Sequence, residues 1–118
     1  MTSNVSESKC YAGSKVLGRA VVTVHVLSSA GVTSYPLAHV VLHSPDGFNW
    51  GYRSLQHSGP SDLARSLLMD CLGADPQPQL YHAFKEEFIA GLEQEAAWCI
   101  DEAAIRRWLD SRTDAPHS

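Results

Sequence analysis

Ala20-Val21-Val22-Thr23-Val24-His25-Val26-Leu27 is the stretch that decides how the chain folds. Val22, Val24 and Val26 recur at every second position, with Thr23 and His25 between them. A period of two places the valines on one face of a β-strand and the polar pair on the other. Branching at Cβ restricts χ1 and favours the pleated backbone over a helix. The next residues, Ser28-Ser29-Ala30-Gly31, are turn chemistry, with Gly31 free to take positive φ. Working outward, Lys9–Ala12 reads as a short strand stopped by Gly13. Thr33–Leu37 reads as a strand bent or ended by Pro36, and residues 39–43 as another. Ser44-Pro45-Asp46-Gly47 is a tight reversal, because proline presets φ and Asp-Gly suits the turn. Phe48–Tyr52 then predicts a strand with Phe48, Trp50 and Tyr52 on one face.

After Tyr52 the hydrophobic period lengthens to about 3.6 residues, the helical value. Ser58-Gly59-Pro60 predicts a helix start, since proline's missing N–H costs nothing in a first turn. The helix carries Leu63, Ala64, Leu67, Leu68, Cys71 and Leu72 toward a core, and Gly73 ends it. Asp75-Pro76 predicts a second start, followed by the stripe Leu80, Tyr81, Phe84, Phe88, Ile89 and Leu92. Ala96–Ile100 reads as an edge strand or an extended linker. Asp101 predicts the cap of a last helix that buries Ala104, Ile105, Trp108 and Leu109.

Strands first and helices second predict an α+β fold: a mostly antiparallel N-terminal sheet of about four strands, covered by two to three C-terminal helices. Residues 9–110 form one such domain in this reading, with residues 1–8 a disordered lead-in and 111–118 a polar tail. The uncovered sheet face must then meet solvent or a partner. Thr23, His25, His39, His43 and Arg53 are expected on it.

Composition bounds the function. The 118 residues are 44% hydrophobic and 19% charged, ordinary for a globular domain, and no apolar run reaches the ~20 residues that span a bilayer. The polar start MTSNVSESKC lacks the layout of a signal peptide, and three irregularly spaced cysteines suit a reducing cytoplasm better than a disulfide framework. Cys71 and Cys99 sit in apolar contexts and read as core residues. The formal charge is −4, unevenly placed: residues 1–60 hold four basic against two acidic side chains, and residues 61–118 five against eleven. Phosphate backbones are repelled by such an acidic half, and basic protein surfaces are attracted to it.

No metal or cofactor is expected. His39 and His43 are four apart, which on a strand spans about 13 Å, too far for one ion. The junction residues His43, Asp46, Trp50, Tyr52, His57 and Ser58 form a candidate pocket, and a Ser–His–Asp arrangement there is conceivable in composition. No G-x-S-x-G elbow accompanies it, and each residue has a plainer role, so no catalytic residue is assigned. The aromatic row Phe48, Trp50 and Tyr52 suits a core face better than a base-stacking platform in a chain with nine basic residues.

The stretch His43-Ser44-Pro45-Asp46-Gly47-Phe48-Asn49-Trp50-Gly51-Tyr52, followed by Ser58-Gly59-Pro60, resembles a bacterial and phage family catalogued as domain of unknown function 6166. The resemblance extends to Tyr11-Ala12-Gly13, to Leu80, Tyr81, Phe84 and Lys85, and to Trp98, Ile100, Ile105, Trp108 and Leu109. The link at residues 53–57 is longer here and lacks that family's glycines. The resemblance implies a small cytoplasmic protein often carried by mobile elements and supplies no catalytic residues. Together with the charge, it sets the expectation of a non-enzymatic interaction module that acts as an acidic, anti-CRISPR-like inhibitor. Its partner would be the basic surface of a host nucleic-acid-handling or defence complex. Glu86, Glu87, Glu93, Glu95, Asp101 and Glu102 are the expected contact residues. A homodimer is a further option for the partner; membranes and nucleic acid are not expected. The alternatives are a small-molecule binder or hydrolase-like enzyme at the His43–Ser58 junction, and a weak nucleic-acid binder through the sheet.

Overall fold

The computed structural model describes residues 7–38, 47–51 and 59–112. Its four-stranded antiparallel sheet runs β3-β2-β1-β4. The strands are β1 (Ser8–Val16), β2 (Arg19–Ser28), β3 (Gly31–Pro36) and β4 (Trp98–Asp101). Among the described residues three helices, α1 (Gly59–Leu72), α2 (Pro78–Phe84) and α3 (Glu102–Ser111), accompany the sheet in an α+β fold. A π-helical turn at Lys85–Ile89 prolongs α2. No helix among the described residues is long and apolar enough to cross a membrane.

The register makes the two sheet faces explicit. Tyr11 pairs with Val24 and Ile100, and Gly13 with Val22 and Trp98, so these residues share the inner face. All of them are buried, together with Leu63, Leu67 and Leu68 of α1 and Ile105 of α3. The opposite face carries Cys10, Thr23, His25, Ser34, Cys99 and Asp101 by the same pairing. Thr23 and His25 lie there half-exposed, as the alternation requires. His39, His43 and Arg53, and the strand expected at residues 39–43, lie outside the described residues.

Several expectations change. Gly13 does not stop β1, which runs on to Val16. A Cβ at Gly13 would lie 2.3 Å from the Trp98 indole, so the glycine is there to admit that ring. Residues 48–51 are not a strand. Trp50 instead enters the core, fully buried, with its indole N–H donating to the Glu93 carbonyl at 3.1 Å and its ring edge-on to Trp98 at 5.4 Å. The fourth strand is β4 at the sheet edge, so of the expected stretch 96–100 only Trp98–Ile100 is strand, and the strand runs on to Asp101.

In the helices, Gly73 ends α1 as expected, with φ of 73° and its N–H on the Met69 carbonyl at 2.8 Å. Leu72, expected inside, is 40% exposed as the terminal residue of α1, beyond which the chain turns at Gly73. The second helix starts at Pro78 behind Gln77, not at Asp75-Pro76. Asp75 is taken by Arg65, which donates to both its carboxylate oxygens at 3.0 and 2.9 Å. The π turn, closed by the Ala90 N–H on the Lys85 carbonyl, puts a residue five positions on beneath its predecessor. Phe84 and Ile89 are therefore both fully buried, while Phe88 stacks on Phe84 at 4.6 Å and meets Trp108 at 5.8 Å.

Candidate functional site

Three places on the described surface combine chemistry with geometry. The first joins α1 to the sheet. Asp70 projects from the last turns of α1 toward the inner sheet face and accepts hydrogen bonds from Tyr11 Oη at 2.7 Å, Lys9 Nζ at 2.9 Å and Tyr35 Oη at 2.7 Å. Burial works against its charge, but the donors from Tyr35, Lys9 and Tyr11 outweigh it and hold the carboxyl below its ordinary range. Burial and the same carboxylate push both phenols up. Lys9 is raised as well: partial burial lowers it, and the Asp70 carboxylate more than compensates. This hub ties β1, β3 and α1 at one point, and its perturbed groups are accounted for by that structural task. Beside it, burial pushes the Cys71 thiol up to about 11. That is the behaviour of an inert core cysteine, as expected of Cys71.

The second place is the end of the sheet at the β1–β2 hairpin. Val16 pairs with Arg19, leaving a two-residue loop of Leu17 and Gly18. Their φ values are 53° and 80°, which makes a type I′ turn. The first position of that turn favours Asn, Asp or Gly, yet it holds a leucine that is 97% exposed. Lys15, two residues away, lies over the Trp50 ring at 5.1 Å and pairs with Glu95 at 3.8 Å. Trp50 in turn is bonded to Glu93. The tip leucine and the acidic segment 93–95 thus share one end of the molecule.

The third place is on the open sheet face. Cys10 and Cys99 are bonded as a disulfide between β1 and β4, with Cα atoms 6.6 Å apart. This corrects both the expectation of unpaired cysteines and that of a buried Cys99, which is exposed because its position on β4 faces away from the helices. Asp101 follows on the same face, and one ligand atom from each of Cys10, Cys99 and Asp101 lies within 4.8 Å of the others. Asp101 occupies the cap position of α3, as expected, but its side chain makes no cap hydrogen bond. His25 lies directly across from Cys10 and its Nδ1 shares a hydrogen with Ser34 Oγ at 2.7 Å. An open recess of about 490 Å³ is lined there by Cys10, His25, Leu27 and Asp101.

The profile of a family of unknown function matches residues 11–111. The chain belongs to that family, DUF6166. No curated protein and no solved structure matches it. The positions by which this DUF6166 chain resembles its family have local structural reasons. Tyr11 bonds Asp70, Gly13 admits Trp98, and Phe84 and Trp108 meet at 5.5 Å over α2 and α3.

The expected acidic contact residues fall on three segments. Glu86 and Glu87 are exposed on the π turn, and Glu93 and Glu95 on the segment after it. Asp101 lies on the open sheet face, and Glu102 is paired with Arg106 at 3.2 Å. Among the described residues Glu86, Glu87 and Glu93 have no ion-pair partner. Of the alternative pocket only Trp50 is described, and it is core; His43, Asp46, Tyr52, His57 and Ser58 lie outside the described residues. Sequence reasoning missed the Cys10–Cys99–Asp101 group because 89 residues separate the cysteines and no spacing rule spans that gap. It also missed the Leu17-Gly18 turn, for which Gly18 between two alternating runs was an available signal.

Proposed function

We propose that this DUF6166 protein is a non-enzymatic protein-binding module that meets a basic partner with the hairpin end of its sheet. The observation that carries the reading is Leu17: a 97% exposed leucine held at φ 53°. Left-handed backbone costs an ordinary residue about 1 kcal/mol or more, and full exposure gives nothing back. A backbone cost with no burial to offset it is accounted for in this reading by a contact outside the chain. The acidic segment beside it supplies the sign of the partner. Glu93, together with Glu86 and Glu87 on the preceding turn, offers carboxylates with no counter-ion among the described residues. Such a surface suits the basic groove of a nucleic-acid-handling or defence complex, encountered in the cytoplasm by a protein of phage or mobile-element origin. Occupying the groove would block the nucleic acid sterically and electrostatically.

Affinity capture tests the reading with three baits: the native chain, Leu17→Asn, and a chain with Glu86, Glu87, Glu93 and Glu95 changed to Lys. A lysate of the source organism is used at two salt concentrations. The expected result is a partner retained by the native bait, lost with Leu17→Asn, and lost with the charge-reversed bait. Retention by the native chain should fall at the higher salt. Equal capture by all three baits, or salt-independent capture, overturns it.

A further inference from the structure

We propose that the reduced chain carries a zinc site on its open sheet face, with Cys10 Sγ, Cys99 Sγ and an Asp101 carboxylate oxygen as ligands and His25 as the fourth. Four observations lead there. The antiparallel register puts Cys10 opposite both Asp101 and His25, so β1, β2 and β4 each place a ligand-type residue on one sheet face, with the His25 ring turning about χ1 from the Ser34 side to join the other three. The sulfur and carboxylate atoms of Cys10, Cys99 and Asp101 already lie within 4.8 Å of one another. A tetrahedral ion with Zn–S near 2.3 Å and Zn–O near 2.0–2.2 Å needs its ligand atoms only about 3.3–3.8 Å apart. Asp101 stands where a helix cap would normally bond the α3 backbone, and its side chain does not do so. His25 Nδ1 shares a hydrogen with Ser34 Oγ at 2.7 Å, an exposed contact that the ring gives up on turning to the metal.

The donor set selects the ion. Two thiolates, an imidazole and a single carboxylate favour Zn²⁺ over Mg²⁺ or Ca²⁺, which require oxygen shells. Cys99 is exposed and Cys10 half-exposed, and the recess beside them gives an entry path. The chemistry balances in two steps. A small dithiol transfers two electrons and two protons to the Cys10–Cys99 bond, leaving two thiols and becoming a disulfide itself. Zn²⁺ then displaces the two thiol protons to the solvent and takes the thiolates. The oxidised bond and the ion are therefore mutually exclusive occupants of one site.

The experiment uses the full chain and Zn²⁺ alone. The chain is reduced, stripped of metal, and titrated in competition with a chromophoric zinc chelator. One zinc per chain is expected for the reduced form and none for the oxidised form. Co²⁺ in place of Zn²⁺ should give a near-ultraviolet thiolate-to-metal band and the visible bands of a tetrahedral ion. Cys10→Ser or Cys99→Ser should weaken zinc binding at least about 100-fold, and Asp101→Asn or His25→Asn about 10–100-fold. Circular dichroism confirms that each variant is folded, and the oxidised-against-reduced comparison needs no variant. No uptake by the reduced chain, equal uptake by the oxidised chain, undiminished uptake by a Cys10→Ser/Cys99→Ser double variant, or an unchanged affinity in Asp101→Asn each overturns the site.

Discussion

Replacing Leu17 by asparagine should stabilise the fold while removing the proposed contact, a combination few surface changes produce. The magnitude follows from the turn. With φ of 53° at Leu17 and 80° at Gly18, the loop is type I′, and asparagine is at home at its first position. Relieving a left-handed leucine is worth about 1 kcal/mol. The lost side chain was 97% exposed, so removing it forfeits essentially no burial. For a chain of this size the gain raises the melting temperature by roughly 3–5 °C, read by calorimetry or circular dichroism. In a complex the same leucine would bury about 1.5–3 kcal/mol of apolar surface, so affinity should fall about 10–150-fold, read by titration against the captured partner. Leu17→Ala separates the two effects: it keeps the Cβ and hence the backbone cost, so stability stays within about 0.5 kcal/mol while binding is still lost. A lower melting temperature in Leu17→Asn refutes the turn argument. An unchanged affinity in both variants refutes the contact.

Other consequences are as direct. Asp70→Asn keeps the shape of the hub but removes the charge that three donors share, and should cost about 2–3 kcal/mol, lowering the denaturant midpoint with an unchanged slope. The hub also sets the pH limits of stability. The Asp70 carboxyl is held below its ordinary value of 3.8, so its contribution is present above that pH and is lost as acid takes the pH down through the folded value. Tyr11, Tyr35 and Lys9 are raised from ordinary values of 10.0, 10.0 and 10.5, so their contribution is intact below pH 10 and declines as the pH rises through the folded values. Chemical denaturation across pH should show both flanks, and a profile flat above pH 10 would contradict the network. Gly13→Ala places a methyl group against the Trp98 indole and should cost about 1–3 kcal/mol, with a changed near-ultraviolet tryptophan signal; a neutral result would show that the ring has room.

The alternation of Val22, Val24 and Val26 was enough to orient the sheet, because burial on one face demands a period of two. The helices at Gly59 and Glu102 were legible for the same reason at a period near four. Aromatic alternation at Phe48 and Trp50 also fits an irregular segment that buries Trp50 and packs Phe48 against the core. Gly13 misled because a glycine that breaks a strand and one that makes room for a distant ring look the same until the partner is known. The acidic half was readable as charge, but not its distribution over three segments. The Asp70 hub and the Cys10–Cys99–Asp101 group were illegible in principle. Each is assembled by tertiary packing from residues about thirty-five to ninety positions apart. Leu17 is different: its exposure and backbone were implied by the neighbouring Gly18, and only the unusual residue type hid them.

The pairing of β1 with β4 has a consequence for how the chain is made. β1 is an inner strand, yet one of its two neighbours is β4, with Cys10 and Cys99 on the two strands 89 residues apart in sequence. During synthesis the first hairpins can close early, but one flank of β1 keeps its amide and carbonyl groups unclaimed until residues 98–101 have emerged. The notch over Gly13 stays empty for the same interval, waiting for Trp98. Any premature stop before that tryptophan would release a sticky half-sheet, so the last strand serves as the latch that makes the nascent chain safe from its neighbours.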